Sequence, residues 1–142
     1  LYFLFKKFIW KLRFLHIIGL IKVPNLNGEW DGEVKSSYDK FSNSYPIKMT
    51  IKQDWTHIVV RVRADKSTSH SYVAAILAED SKGVVLTYQY QNKPNPESIK
   101  TMAIHEGTAS LKLEGQKLEG EYYTGRGRTT HGKMEFVRNS HT

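Results

Sequence analysis

Cysteine is absent from this chain of 142 residues, which removes disulfides, thiolate zinc sites and a cysteine nucleophile together. That absence suits a reducing compartment. A run long enough to cross a bilayer is missing from the apolar N-terminal stretch: its longest charge-free segment, residues 14–21, is eight residues, against the ~18–20 that a spanning helix needs. No small-residue cleavage site follows it, so it does not read as a signal peptide. Acid is missing from residues 1–24. Five of the 21 basic residues and none of the 14 acidic ones fall there, which leaves 16 basic against 14 acidic in the rest. A body so nearly neutral lacks the spread of positive charge that DNA or RNA demands, and neither is expected as a partner. Composition is otherwise ordinary, 39% hydrophobic and 25% charged, which excludes disorder and collagen-like or low-complexity architectures. The length fits one domain with a short appendage. The chain opens on Leu1 and not on Met, as expected of a piece of a longer protein.

The basic stretch, LYFLFKKFIWKLRFLHIIGLIKVP, has a helical pattern. At ~100° per residue Lys6, Lys7, Lys11 and Arg13 share one side, and Leu4, Phe5, Phe8, Ile9, Leu12 and Leu15 lie opposite. Trp10 and Phe14 fall on the basic side, where aromatics suit a lipid headgroup zone. Residues 1–24 are therefore expected to form a short amphipathic juxtamembrane or linker segment, either lying in the interface or forming the cytoplasmic shoulder of an upstream transmembrane span. A solvated basic tail is the plainer alternative.

From Leu26 the period changes from helical to two. YPIKMTIKQ alternates Ile47, Met49 and Ile51 with Lys48, Thr50 and Lys52, and KGVVLTYQYQ alternates Val84, Leu86, Tyr88 and Tyr90 with Thr87, Gln89 and Gln91. Similar runs, separated by turn signals such as Gln53-Asp54, Asp80-Ser81-Lys82-Gly83 and Pro94-Asn95-Pro96, make eight short strands in about 113 residues. Nothing is left for crossover helices, so neighbours are expected to pair antiparallel. Residues 25–142 are read as an all-β domain, a small eight-stranded antiparallel up-and-down β-barrel, with a two-sheet sandwich as the other arrangement.

In such a meander, odd strands end and even strands begin at one shared mouth. Inward-phase residues at the other end are apolar: Trp30, Ile51, Ile58, Leu77, Val84, Leu86, Leu111, Leu113, Leu118, Met134 and Phe136. The mouth collects Ser36, Ser69, Ser71, Tyr88, Tyr90, His105, Tyr122, Thr124, Arg126, Arg128 and Thr130. Guanidinium forks bind phosphate oxygens bidentately, tyrosine rings stack on bases, and Ser, Thr and His reach base edges or ribose. Ser71, Tyr88, Tyr90, His105, Tyr122, Arg126, Arg128 and Thr130 are therefore the candidate ligand-binding residues, for a planar, phosphorylated molecule. The plainer alternative leaves the arginines as solvated rim and the tyrosines as core. A bulge near Gly107 or Gly120 would reverse the phase of everything beyond it.

Signals of catalysis are thin, and no catalytic residue, metal site or cofactor is expected. His57, His70, His105 and His131 lie on different strands without the HExxH spacing of a zinc protease. His105-Glu106 with Ser71 would make a general-base arrangement, and a nucleotide hydrolase is the weakest of the readings kept open. Gly125 and Gly127 in TGRGR precede no helix, so no phosphate-cradling loop of the P-loop kind is indicated.

The order of Leu26-Asn27-Gly28-Glu29-Trp30-Asp31-Gly32, then Gly107-Thr108-Ala109, then Leu118-Glu119-Gly120-Glu121-Tyr122-Tyr123-Thr124-Gly125-Arg126, behind a basic lead-in, resembles the CD-NTase-associated effectors of CBASS antiphage operons. These carry two transmembrane helices and a β-strand-rich domain, and the resemblance covers about residues 20–138. It implies a minimal β-barrel that senses a cyclic oligonucleotide, usually a cyclic dinucleotide. It further implies self-association on binding, disruption of the bacterial inner membrane, and a sensing domain facing the cytoplasm. The transmembrane helices of that family are not in this sequence. The candidate site rests on the mouth geometry and not on the family. Gly28-x-Trp30 is also the opening of lipocalins, and a lipocalin-like barrel for a small hydrophobic ligand is the alternative.

Overall fold

The structure is a computed structural model and describes residues 2–3, 24–54, 57–79, 83–96, 105–125 and 130–139. The amphipathic helix expected over residues 1–22 lies outside the described residues, apart from Tyr2 and Phe3.

Eight strands follow one another among the described residues: β1 (Gly28–Ser36), β2 (Tyr45–Gln53), β3 (Ile58–Arg63), β4 (Ser67–Glu79), β5 (Gly83–Pro94), β6 (His105–Glu114), β7 (Lys117–Thr124) and β8 (His131–Arg138). A 3-10 turn, Ser37–Asp39, joins β1 to β2. Each strand pairs antiparallel with its neighbours, and β8 returns to β1 with Gly32 opposite Phe136, so the barrel is closed in chain order. Closure removes the exposed edges that an open meander of this composition would present.

Period-two patterning drives this arrangement. In β2 Ile47, Met49, Ile51 and Gln53 are buried between exposed Lys48 and Lys52, and in β8 Gly132, Met134 and Phe136 alternate with exposed Lys133 and Glu135. Trp30, Met49, Leu86, Leu111, Leu118 and Phe136 are fully buried in one core. Each such side chain contributes roughly 1.5–3 kcal/mol by leaving water.

The end opposite the mouth is sealed by a strap, residues 24–27. Leu26 is fully buried there, and its carbonyl accepts the Trp30 indole N–H at 3.1 Å. Gln53 ties the strap down: its Oε1 accepts the Leu26 N–H at 2.8 Å, and its Nε2 donates to the Pro24 carbonyl at 3.0 Å. Arg138 lies 4.5 Å over the Trp30 ring and donates to the carbonyls of Asn25 (2.8 Å) and Asn27 (3.2 Å).

Two expectations are corrected. Gly107 and Gly120 sit in unbroken ladders, and the irregularity falls between Ser71 and Val73. The extra residue reverses the inward phase of β4 beyond Tyr72. Ala74 and Ile76 therefore pack against the core, while Leu77, expected in the apolar floor, is half exposed. At the same point the β3–β4 ladder ends. It comprises Arg61–His70, Val62–Ser69 and Arg63–Thr68, after which the Val60 N–H donates to the Ser71 hydroxyl at 2.8 Å.

Candidate functional site

At the mouth the inward residues form three successive rows. The outermost crosses β3 to β6 through Val62, Ser69, Asn92 and His105. The next runs Ser71, Tyr90, Gly107 and Thr124, and the third Tyr88, Ala109, Tyr122 and Gly132. Asn92 continues the inward phase of Tyr88 and Tyr90, and Ser67 that of Ser69. Both were within reach of the same alternation, but polar residues near a predicted turn read as exposed. Asn92 is only 8% exposed.

Tyr88 and Tyr90 are buried with ring centroids 5.8 Å apart and planes tilted by 51°. Burial, with the Tyr90 phenol adding to it, pushes the Tyr88 phenol up, so it remains a neutral hydroxyl. Tyr90 crosses the wall at Gly107, where a Cβ would stand 2.5 Å from its hydroxyl oxygen. Tyr122 is half-buried, and its ring uses the room at Gly132, where a Cβ would stand 2.5 Å from the ring. Two strand glycines thus make space for two aromatic rings.

Ser71 is half-buried, with its hydroxyl engaged by the Val60 N–H. His105, also half-buried, opens β6 opposite Asn92. Thr130 pairs with Thr124: the two hydroxyls are 2.7 Å apart, and the Thr124 hydroxyl also accepts the Thr130 N–H at 2.9 Å. The backbone N–H of Thr124 donates to the Thr130 carbonyl at 2.9 Å, so the two threonines fasten both roots of the β7–β8 loop. Arg126 and Arg128, on that loop, lie outside the described residues. The inward-phase set therefore brings together Ser71, Tyr88, Tyr90, His105, Tyr122 and Thr130 at one end.

The charges are arranged on the other side of the wall. Among the described strands, Arg138 at the sealed end is the only Lys, Arg, Asp or Glu on the inward phase. Two concavities of about 430 and 300 Å³ open on the outer face of β4–β7. The larger is lined in part by Lys112, Glu119 and Glu121, and the smaller by Tyr72, Glu106 and Tyr123. Carboxylates make these outer grooves poor seats for a phosphodiester, whereas the described inward side chains at the mouth present hydroxyls, an amide and aromatic rings. Among the described residues no group of three His, Asp or Glu is placed to hold a metal ion. Nor is any described helix long and apolar enough to cross a membrane.

A small closed barrel of eight strands either fills its interior with side chains or holds one small ligand, and the fold alone defines no more than that class. Residues 21–138 match the family described as Cap15, cyclic dinucleotide receptor domain, and the chain belongs to that family. It is 30% identical over 145 residues to CD-NTase-associated protein 15 of Yersinia aleksiciae, covering 99% of this chain and 67% of that protein. It is 29% identical over 121 residues to CD-NTase-associated protein 15 of Staphylococcus schleiferi, covering 85% of this chain and 64% of that protein. The chain spans about two thirds of the length of these relatives.

Proposed function

We propose that this chain is the cyclic dinucleotide sensor of a membrane-anchored CBASS effector, with the ligand held at the open end of the barrel. The observation that carries the reading is the uncharged, aromatic inward set at that end, in a chain whose family is described as a cyclic dinucleotide receptor domain. Tyr88, Tyr90 and Tyr122 supply ring faces and hydroxyls to the bases, and Ser71 and His105 supply hydrogen bonds. Arg126 and Arg128 neutralise the phosphodiesters from the loop that Thr124 and Thr130 fasten. Ligand binding promotes self-association of the effector at the bacterial inner membrane and its disruption, with this domain on the cytoplasmic side. Residues 1–24 form the juxtamembrane segment and residues 25–142 the sensing domain.

Calorimetry with a panel of cyclic dinucleotides tests the reading. At least one is expected to bind at micromolar levels or tighter, and a folded chain that binds none overturns it. Arg126→Ala or Arg128→Ala is expected to weaken binding by about 1.5–3 kcal/mol, the scale of a hydrogen bond to a charged group. Sedimentation with and without the bound nucleotide checks self-association. Flotation on liposomes with and without anionic lipid checks the role of residues 1–22.

A further inference from the structure

Among the described residues three buried side-chain polar atoms have no hydrogen-bond partner: Asp39 Oδ1, Arg138 Nε and Asn92 Oδ1. Asp39 sits on the turn after β1 and already accepts the Tyr45 hydroxyl through its other oxygen. Arg138 stacks on Trp30 at the sealed end. Asn92 is the one that faces into the mouth. Its amide nitrogen donates to the Ser69 hydroxyl at 2.7 Å and the Ser67 hydroxyl at 3.1 Å, which anchors the nitrogen end of the amide. A carbonyl oxygen is left over, on a residue more than nine-tenths buried, in the first of the inward rows at the mouth. An amide oxygen out of water with nothing donating to it is unfavourable, and a valine would occupy the same inward strand position without that penalty. The atom is set up for a donor that arrives with a ligand.

The chemistry narrows what that donor is. A phosphodiester carries no proton at neutral pH and offers an acceptor nothing. The neighbouring inward side chains, Ser67, Ser69 and the Tyr88–Tyr90 pair, suit the flat and uncharged part of a nucleotide rather than its phosphates. Resting on the reading of the chain as a cyclic dinucleotide sensor, we propose that Asn92, positioned by Ser67 and Ser69, accepts a hydrogen bond from the donor edge of a nucleobase. That base enters the barrel first, and the phosphates stay at the rim. Asn92 is then a specificity-determining residue: it accepts from an exocyclic amine or ring N–H and is indifferent to the phosphodiester.

The test uses calorimetry on the full chain with cyclic di-AMP, cyclic di-GMP and cyclic di-UMP. The tightest of these is then compared with its analogue whose base donor N–H is methylated. The wild type is expected to lose about tenfold or more in affinity on methylation, the scale of one neutral hydrogen bond. Asn92→Val is expected to bind the parent nucleotide about tenfold more weakly and to lose less than about threefold on methylation. Asn92→Ala gives the same comparison if the valine variant does not fold. Equal methylation losses in wild type and variant overturn the assignment, as does a variant that binds the parent within about threefold of wild type. A wild type indifferent to methylation overturns it without any variant. If the wild type binds no cyclic dinucleotide, the sensor reading itself fails. If it binds and Asn92 variants bind equally well, only the role of Asn92 fails.

Discussion

The two ends of the barrel treat a buried side-chain amide in opposite ways. At the sealed end both polar atoms of the Gln53 side chain are bonded inside the molecule, to Leu26 and Pro24, and the backbone of Gln53 exchanges two further bonds with the Asn27 side chain. At the mouth the buried Asn92 amide is bonded on its nitrogen alone. Saturated polar groups fix a structure, and a half-satisfied one leaves recognition capacity. The floor holds the strap, and the proposed site lies at the other end.

The largest effect expected of any substitution on this contrast is at the floor. Trp30→Ala should remove about 3–5 kcal/mol of stability in urea denaturation. A loss below about 1 kcal/mol would show that the sealed end is not the foundation of the fold. Gln53→Leu strands the buried Leu26 N–H and should destabilise by about 1–3 kcal/mol, read in the same way. Gly132→Ala drives a Cβ into the Lys35 carbonyl and the Tyr122 ring, and about 1–3 kcal/mol is expected there as well. Asn92→Val, the matched change at the other end, removes an unpaired carbonyl but strands the Ser67 and Ser69 hydroxyls, opposing effects of about 1–3 kcal/mol each. Its net loss should therefore be smaller than that of Gln53→Leu; a loss as large would erase the distinction between the ends. The smallest effect is at the rim. The Tyr45 hydroxyl donates to Asp39 at 2.7 Å and holds that carboxyl below its ordinary value. A depressed carboxyl contributes stability at neutral pH that is lost as pH falls through its folded value. Tyr45→Phe should flatten the acid side of the stability profile in thermal melts across pH.

The alternation of apolar and polar residues made all eight strands legible, β4 (Ser67–Glu79) among them. It failed where alternation carries no information. From Tyr72 to Ala78 the residues are aromatic or aliphatic on both phases, so a one-residue shift leaves no mark in the pattern, and Leu77 was assigned to the wrong side. Gln53 read as a turn residue because it precedes Asp54, yet it ends β2 facing inward, where the strap needs a group that both donates and accepts. Arg138 was invisible for a related reason: an arginine at the end of a strand is ordinarily solvated, and only the closed ladder sets it over Trp30. At the mouth, phase alone gathered Ser71, Tyr88, Tyr90, His105, Tyr122 and Thr130. The hydrogen bonds that orient Asn92 come from Ser67 and Ser69, which register brings beside it from an earlier strand.

The strap has a directional consequence. Pro24 is bolted to Gln53 beneath the barrel, so the polypeptide is received at the pole furthest from the opening. The chain's entry at Pro24 and the proposed site therefore occupy opposite poles, so the two can be altered independently.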